Sequence, residues 1–269
     1  MDTTLAILGA GRMGEALLGG LLRSGWITPD RVRCTVRGAE RATALAATYG
    51  VHVDTDSPAA AAAADVLLVA VKPQNLRALL DQIAGEVTPR HTVISVAAGV
   101  PTAAIEDALA PGVPVVRVMS NVPVQVDEAM SAVAPGCHAG AEHLAVADAV
   151  LGSVGKVVHL AEEHLDAVTA LSGSGPAYFF LLAEAMIDAG ILLGLSRDVS
   201  SELVIQTMVG SAKMLRDTGR HPVELREAVT SPGGTTIAAV RVLEQERVRA
   251  AFLNAIEAAK LRSTELAGG

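Results

Sequence analysis

The stretch ILGAGRMGEALL, Ile7 to Leu18, decides the fold. An apolar run leads into Gly9, Gly11 and Gly14 at G-x-G-x-x-G spacing, and the pattern then turns helical. The first glycine allows a tight turn, the second lets backbone approach a pyrophosphate, and the third lets helix meet strand. A helix that starts there presents unpaired N–H groups and the positive end of its dipole to an anion. The spacing alone would also suit a glycine-rich turn in an α/β protein that binds nothing. Its place after a first strand and ahead of repeating β/α units points to a dinucleotide, held by Gly9, Ala10, Gly11, Arg12, Met13 and Gly14.

Strand-like runs stand on both sides of that turn. Residues 3–9, 65–71, 91–98, 113–119, 129–135 and 156–160 are apolar runs, most of them rich in β-branched residues, while 31–37 alternates as a strand does and the VHVD run from Val51 is a short strand. Continuous apolar strands separated by helical patterns indicate a sheet covered on both faces. The expected architecture is α/β, a doubly wound Rossmann-like sheet, parallel at first with some antiparallel pairing late. Ser57 and Pro58 read as an N-cap and first helical residue. After Leu160 the strand pattern stops and only helices follow. The division is a dinucleotide-binding domain over 1–160 and an all-helical domain over 161–269. The most apolar stretch, AYFFLLAEAMIDAGILLGL (177–195), carries Glu184 and Asp188, which a membrane span would tolerate badly. It reads as a buried helix.

Composition narrows the function. The chain has 269 residues, 51% of them hydrophobic, so a large core can form, but aromatics are only 2% and Ala, Val and Leu must build it. A core of such small side chains tends to continue into a subunit interface. The net charge of −8 and the lack of a basic run argue against nucleic acid. Cys34 and Cys137 stand far apart without a CxxC companion and read as two reduced thiols. The seven histidines are scattered, and the Glu184–Asp188 pair lacks converging ligands, so no metal is expected. With no signal-peptide pattern and no membrane span, a cytoplasmic protein is expected.

The second strand should end near Val36, Arg37 and Gly38, with Arg41 following and Glu40 as the acid nearby. An NAD site normally places an acid there for the ribose 2′-hydroxyl, whereas guanidinium groups suit a 2′-phosphate. NADPH is the expected cofactor, with Arg37 the main cation and NADH possible. Ala70, Val71, Lys72 and Pro73 close the fourth strand and Val96, Ala97 and Ala98 the fifth, where ligands lie in such a sheet. A second anion site is written in VTSPGGTTIAAV, Val229 to Val240, where hydroxyls, a proline and two glycines run into a helical pattern.

These segments carry a family resemblance. GAGRMGEALLGGLL, AVKPQ, VISVAAGV, VVRVMSNVP, LSGSGPAYFFLLAEAMIDAGILLGL and ELREAVTSPGGTTIAAVRVLE together resemble the Δ1-pyrroline-5-carboxylate reductases along essentially the whole chain. The resemblance implies a 6-phosphogluconate dehydrogenase-like fold, whose helical C-terminal domain dimerises. It implies reduction of a cyclic imino acid to L-proline with NAD(P)H, the last step of proline biosynthesis. It implies that Ser231, Gly233, Gly234, Thr235 and Thr236 bind the substrate carboxylate, with Thr236 reaching the imine nitrogen as the catalytic hydroxyl. Glu162 would contact substrate, Ser172, Ser174 and Pro176 would lie near the nicotinamide, and Ser57 and Asn121 would touch the cofactor. The expected partners are the small-molecule substrate and a second copy of the chain, with larger rings known in the family. The chain departs from the pattern at Val36-Arg37-Gly38, where Asn-Arg-Ser is usual, and at Ser120, where proline is usual. Two rivals are a β-hydroxyacid dehydrogenase, disfavoured because no lysine follows SGSGP through Leu195, and a non-catalytic NADP(H)-sensing protein on the same fold.

Overall fold

Alternation of side chains along the first strand sets the layers. In the computed structural model, which describes residues 3–267, β1 (Leu5–Leu8) buries all four side chains. Leu5 and Ile7 join one apolar cluster and Ala6 and Leu8 another, because successive side chains leave opposite faces of a strand. A run of four apolar residues is therefore what a strand covered on both faces needs.

The sheet has eight strands in the order β3-β2-β1-β4-β5-β6-β7-β8. They are β1, β2 (Val32–Thr35), β3 (His52–Asp54), β4 (Val66–Val69), β5 (Thr92–Ser95), β6 (Val115–Met119), β7 (Ala129–Pro135) and β8 (Gly155–His159). The helices between them are α1 (Arg12–Arg23), α2 (Ala39–Tyr49), α3 (Ser57–Ala62), α4 (Pro73–Ile83), α5 (Thr102–Glu106) and α6 (Ala141–Gly152). Leu17, Leu18 and Leu21 of α1 cover the Leu5/Ile7 face, and Leu76, Leu80 and Ile83 of α4 cover the Ala6/Leu8 face. All ladders are parallel except β6 with β7. The exception has a local cause: only a short 3-10 turn, Val122–Val126, joins those two strands, and a parallel pair needs a longer crossover.

One expectation about this region is corrected. Asp56, not Ser57, caps α3: its carboxylate accepts from the Ala59 N–H at 3.0 Å, and Ser57 and Pro58 are the first two helical residues. A carboxylate three residues before a free N–H is a strong N-cap acceptor, and it leaves the Ser57 hydroxyl to pair with Thr35 Oγ1 at 3.2 Å.

The chain separates into two compact units, residues 1–174 with 259–269, and residues 175–258. The first unit continues past β8 through a 3-10 turn, α7 (Leu165–Val168) and a π-helical turn, Thr169–Gly173. Leu165 is fully buried against Ala132 and Ala134 of β7, and Asp166 accepts from Ser263 Oγ at 2.8 Å and Thr264 Oγ1 at 3.0 Å.

The second unit contains α8 (Gly175–Leu192), α9 (Arg197–Thr218), α10 (Pro222–Ala228), α11 (Thr235–Gln245) and the first part of α12 (Val248–Ala267). Helices α8 and α9 pack closely: a Cβ on Gly190 would lie 2.5 Å from Ser200 Oγ. Here the expectation of a buried helix fails. Gly175 is the one buried residue of α8, while Phe179, Phe180 and Leu181 are each more than 60% exposed. Leu203, Ile205, Leu243 and Leu253 are exposed as well. Hydrophobicity drives burial but does not say what provides the cover, and an apolar area this wide on a single chain marks an interface.

Candidate active site

The glycine turn is held by the strand beside it. The N–H groups of Gly9 and Ala10 donate to Thr35 O at 3.1 and 2.8 Å, and Gly11 N–H donates to Gly9 O at 2.7 Å. Gly9 has φ +93°, and a Cβ there would come 2.5 Å from Val71 Cγ1. On Gly14 a Cβ would lie 2.8 Å from Gly9 O, so α1 could not sit this close to β1 with any larger residue. A Cβ on Gly11 would meet nothing within 4 Å. The middle glycine thus faces open space and the outer two face protein, the division of labour that a pyrophosphate cradle requires. Gly11 caps α1 without a side-chain bond, which leaves the first-turn N–H groups of Arg12, Met13 and Gly14 for a ligand.

The parallel register brings the other expected cofactor residues to the same edge. Leu8 pairs with Thr35 and with Val69, and Val69 with Ser95, so the chain leaves β1, β2, β4 and β5 side by side. Ala70 and Val71 are half-buried, Lys72 caps α4 and is exposed, and Pro73 is its first residue. Val96 is half-buried, Ala97 buried and Ala98 exposed. Arg37 is exposed just past β2.

Two of the expected cofactor residues are committed to the chain itself. Ser57 is buried with its hydroxyl on Thr35. Asn121 is buried after β6; its amide donates to Ser172 O at 3.2 Å and Ser172 Oγ at 3.4 Å, and its oxygen accepts from Met130 N–H at 2.9 Å. The SGSG segment is thereby tied to β6 and β7, with Ser172 and Ser174 half-buried there. In the second unit, Pro176 is half-buried in the first turn of α8.

Glu162 sits in a network that sequence reading did not find. Its Oε1 accepts from the Thr102 N–H at 2.8 Å and from Arg117 Nη1 at 3.0 Å, and its Oε2 from Thr102 Oγ1 at 2.9 Å. Arg117 is buried on β6, and α5 has no side-chain cap of its own. Glu162 therefore serves as a remote cap for α5 and as the counterion of a buried guanidinium. A lone buried-strand arginine such as Arg117 in VVRVM was the available signal, since such a charge demands a partner.

A second missed group lies on α1. Glu15 forms an ion pair with Arg41 of α2, and the Tyr49 hydroxyl stands 3.5 Å from its other oxygen. Burial, followed by the Glu15 charge, pushes the Tyr49 phenol up. No spacing rule announces this pair, because its members belong to different helices.

The Ser-Pro-Gly-Gly turn opens α11. Gly233 has φ +68°, in the left-handed region, and a Cβ on Gly234 would lie 2.3 Å from Ser231 Oγ. Gly234 is the N-cap and makes no side-chain cap bond, so the N–H groups of Thr235, Thr236 and Ile237 have no capping acceptor. Ser231 and Thr235 are exposed and Thr236 half-buried. The turn presents hydroxyls and N–H donors together at a positive dipole end, which suits a small carboxylate. Among the described residues, no group of three or more His, Cys, Asp or Glu is placed to hold a metal ion.

Comparison with known proteins agrees with both halves. Residues 162–266 match the family model described as pyrroline-5-carboxylate reductase dimerisation, and residues 4–99 match that described as NADP oxidoreductase coenzyme F420-dependent. The pyrroline-5-carboxylate reductase of Methanosarcina acetivorans is 44% identical over 97% of each chain. The solved structure of a pyrroline-5-carboxylate reductase from Coxiella burnetii superposes with a TM-score of 0.93 at 34% identity, over 99% of each chain. That of Plasmodium falciparum pyrroline carboxylate reductase with NADP bound gives 0.89 at 28% identity, over 98% of each. With its doubly wound sheet, its helical dimerisation segment and this identity along its length, the chain belongs to the pyrroline-5-carboxylate reductase family.

Proposed function

We propose that the chain reduces Δ1-pyrroline-5-carboxylate to L-proline with NADPH, accepting NADH less well, as the last step of proline biosynthesis. The observation that carries the reading is the pair of uncapped helix N-termini, each opened by a glycine turn, in a chain of this family. The turn at Gly9–Gly14 holds the pyrophosphate, Arg37 receives the 2′-phosphate, and Ala70–Pro73 with Val96–Ala98 border the rest of the cofactor. When bound, the reduced nicotinamide supplies a hydride.

The reaction adds that hydride to the imine carbon and a proton to the nitrogen. A protonated imine is already electrophilic, so the protein's main task is positioning. Ser231, Gly233, Gly234, Thr235 and Thr236 hold the carboxylate, and the Thr236 hydroxyl donates to or relays a proton at the nitrogen. Glu162 has a holding part first; Oε2, with a single donor, keeps an acceptor direction through which it could contact substrate.

The domain division at Leu160 belongs to this reading and is supported by the end of β8 at His159 and the start of the matched dimerisation segment at Glu162. The wide apolar surface of the second unit supports dimers through the C-terminal helices, and the family resemblance supports larger rings in the cytoplasm. The test is loss of the near-ultraviolet absorbance of NADPH on adding the imino acid, repeated with NADH. Imine-dependent oxidation is expected. Binding of NADPH without turnover would refute it and favour the sensing alternative.

A further inference from the structure

The cofactor's 2′ position in this fold lies beside the end of the second strand, and the pyrophosphate at the start of the first helix. The ion pair between Glu15 and Arg41 joins the first turns of α1 and α2, the helices that follow β1 and β2, and so borders that place. We infer that Glu15 is a specificity-determining residue: by holding Arg41 it withholds a second cation from the 2′-phosphate and so limits the preference for NADPH over NADH. The inference rests on the proposed use of these cofactors.

Three guanidinium groups stand on this edge. Arg12 and Arg37 are exposed and make no ion pair among the described residues, whereas Arg41 is engaged by Glu15. Glu15 is well placed to keep that hold. Its side chain is 30% exposed, less than the 47% of Arg41, and Tyr49 stands over its second oxygen. A guanidinium already matched by a carboxylate adds little net charge toward a dianion, and the carboxylate itself repels one. A ribose 2′-hydroxyl is neutral and meets no such penalty.

The test measures dissociation constants by titration calorimetry for NADPH and NADH on the full chain, in the parent, Glu15→Gln, Arg41→Ala and the double variant. Glu15→Gln should tighten NADPH roughly tenfold, the value of one charge-assisted contact, and leave NADH nearly unchanged. Arg41→Ala should erase that gain when combined with Glu15→Gln and do much less alone, a coupling that a general loosening of α1 would not produce. An NADPH-to-NADH ratio that stays within about twofold of the parent's in Glu15→Gln overturns the inference. Should Glu15→Gln not fold, salt dependence decides between parent and Arg41→Gln. Equal slopes of NADPH affinity against salt support the inference, and a shallower slope in Arg41→Gln shows that Arg41 already meets the phosphate and overturns it. Failure of the parent to bind either dinucleotide would instead sink the functional reading beneath it.

Discussion

Replacing Glu162 by alanine removes three hydrogen bonds at once and leaves Arg117 buried without a counterion. The guanidinium side chain is 10% exposed, so it cannot recover solvent in place of the carboxylate. Breaking a buried pair from one side costs about 3–5 kcal/mol, and the lost cap on Thr102 N–H contributes about 1 kcal/mol. The Glu162 side chain is 28% exposed, which trims the pair toward the lower end. A net loss of roughly 3 kcal/mol corresponds to a fall in Tm of about 6 °C or more for a domain of this size. Arg117→Met should be milder, about 1–2 kcal/mol, because the carboxylate left behind reaches water and keeps both Thr102 bonds. The assay is chemical denaturation followed by far-ultraviolet circular dichroism at one fixed protein concentration, since dimerisation contributes to apparent stability. An unfolding midpoint for Glu162→Ala equal to the parent's, or a greater loss in Arg117→Met, would refute the reasoning. Unchanged stability with a raised KM would assign Glu162 to the substrate alone.

Three further outcomes follow from single sites. His91 is fully buried with Nδ1 accepting from Thr88 N–H at 3.0 Å, and burial pushes its pKa below the ordinary 6.5. The unfolded chain therefore binds the extra proton first; stability is complete above about 6.5 and falls as pH drops below it, and His91→Gln should flatten that limb in denaturant titrations. Thr236→Ala should lower kcat/KM at least tenfold, about 1.4 kcal/mol of transition-state stabilisation, with NADPH affinity intact by calorimetry; a full-rate variant would remove Thr236 from the mechanism. Burial pushes the Cys34 thiol up to about 12, while Cys137 is exposed, so the native chain should offer one thiol to an aromatic disulfide reagent and a second only after unfolding.

The sheet was legible because its physics is local. Central strands covered on both faces must be apolar throughout, and such runs, broken by helical stretches, leave few other arrangements. The three glycines were equally legible, since each is required by a contact or an opening that any Cβ would alter. The cap of α3 was misread by one residue because both Asp56 and Ser57 are good N-caps, and the choice depended on Thr35 being there to take the serine hydroxyl. Reading AYFFLLAEAMIDAGILLGL as buried treated hydrophobicity as a statement about one chain.

What the sequence alone determined about this protein is the set of short-range features: strand and helix runs, the two glycine turns, and the absence of a basic run. Those depend on residues within a few positions of one another, where spacing and side-chain type act directly. Only the tertiary structure decided which charges meet. Glu15 finds Arg41 and Glu162 finds Arg117 because strand order and register bring together residues 26 and 45 positions apart. A charge is satisfied by whichever opposite charge the fold sets beside it, and no spacing along the chain encodes that neighbour.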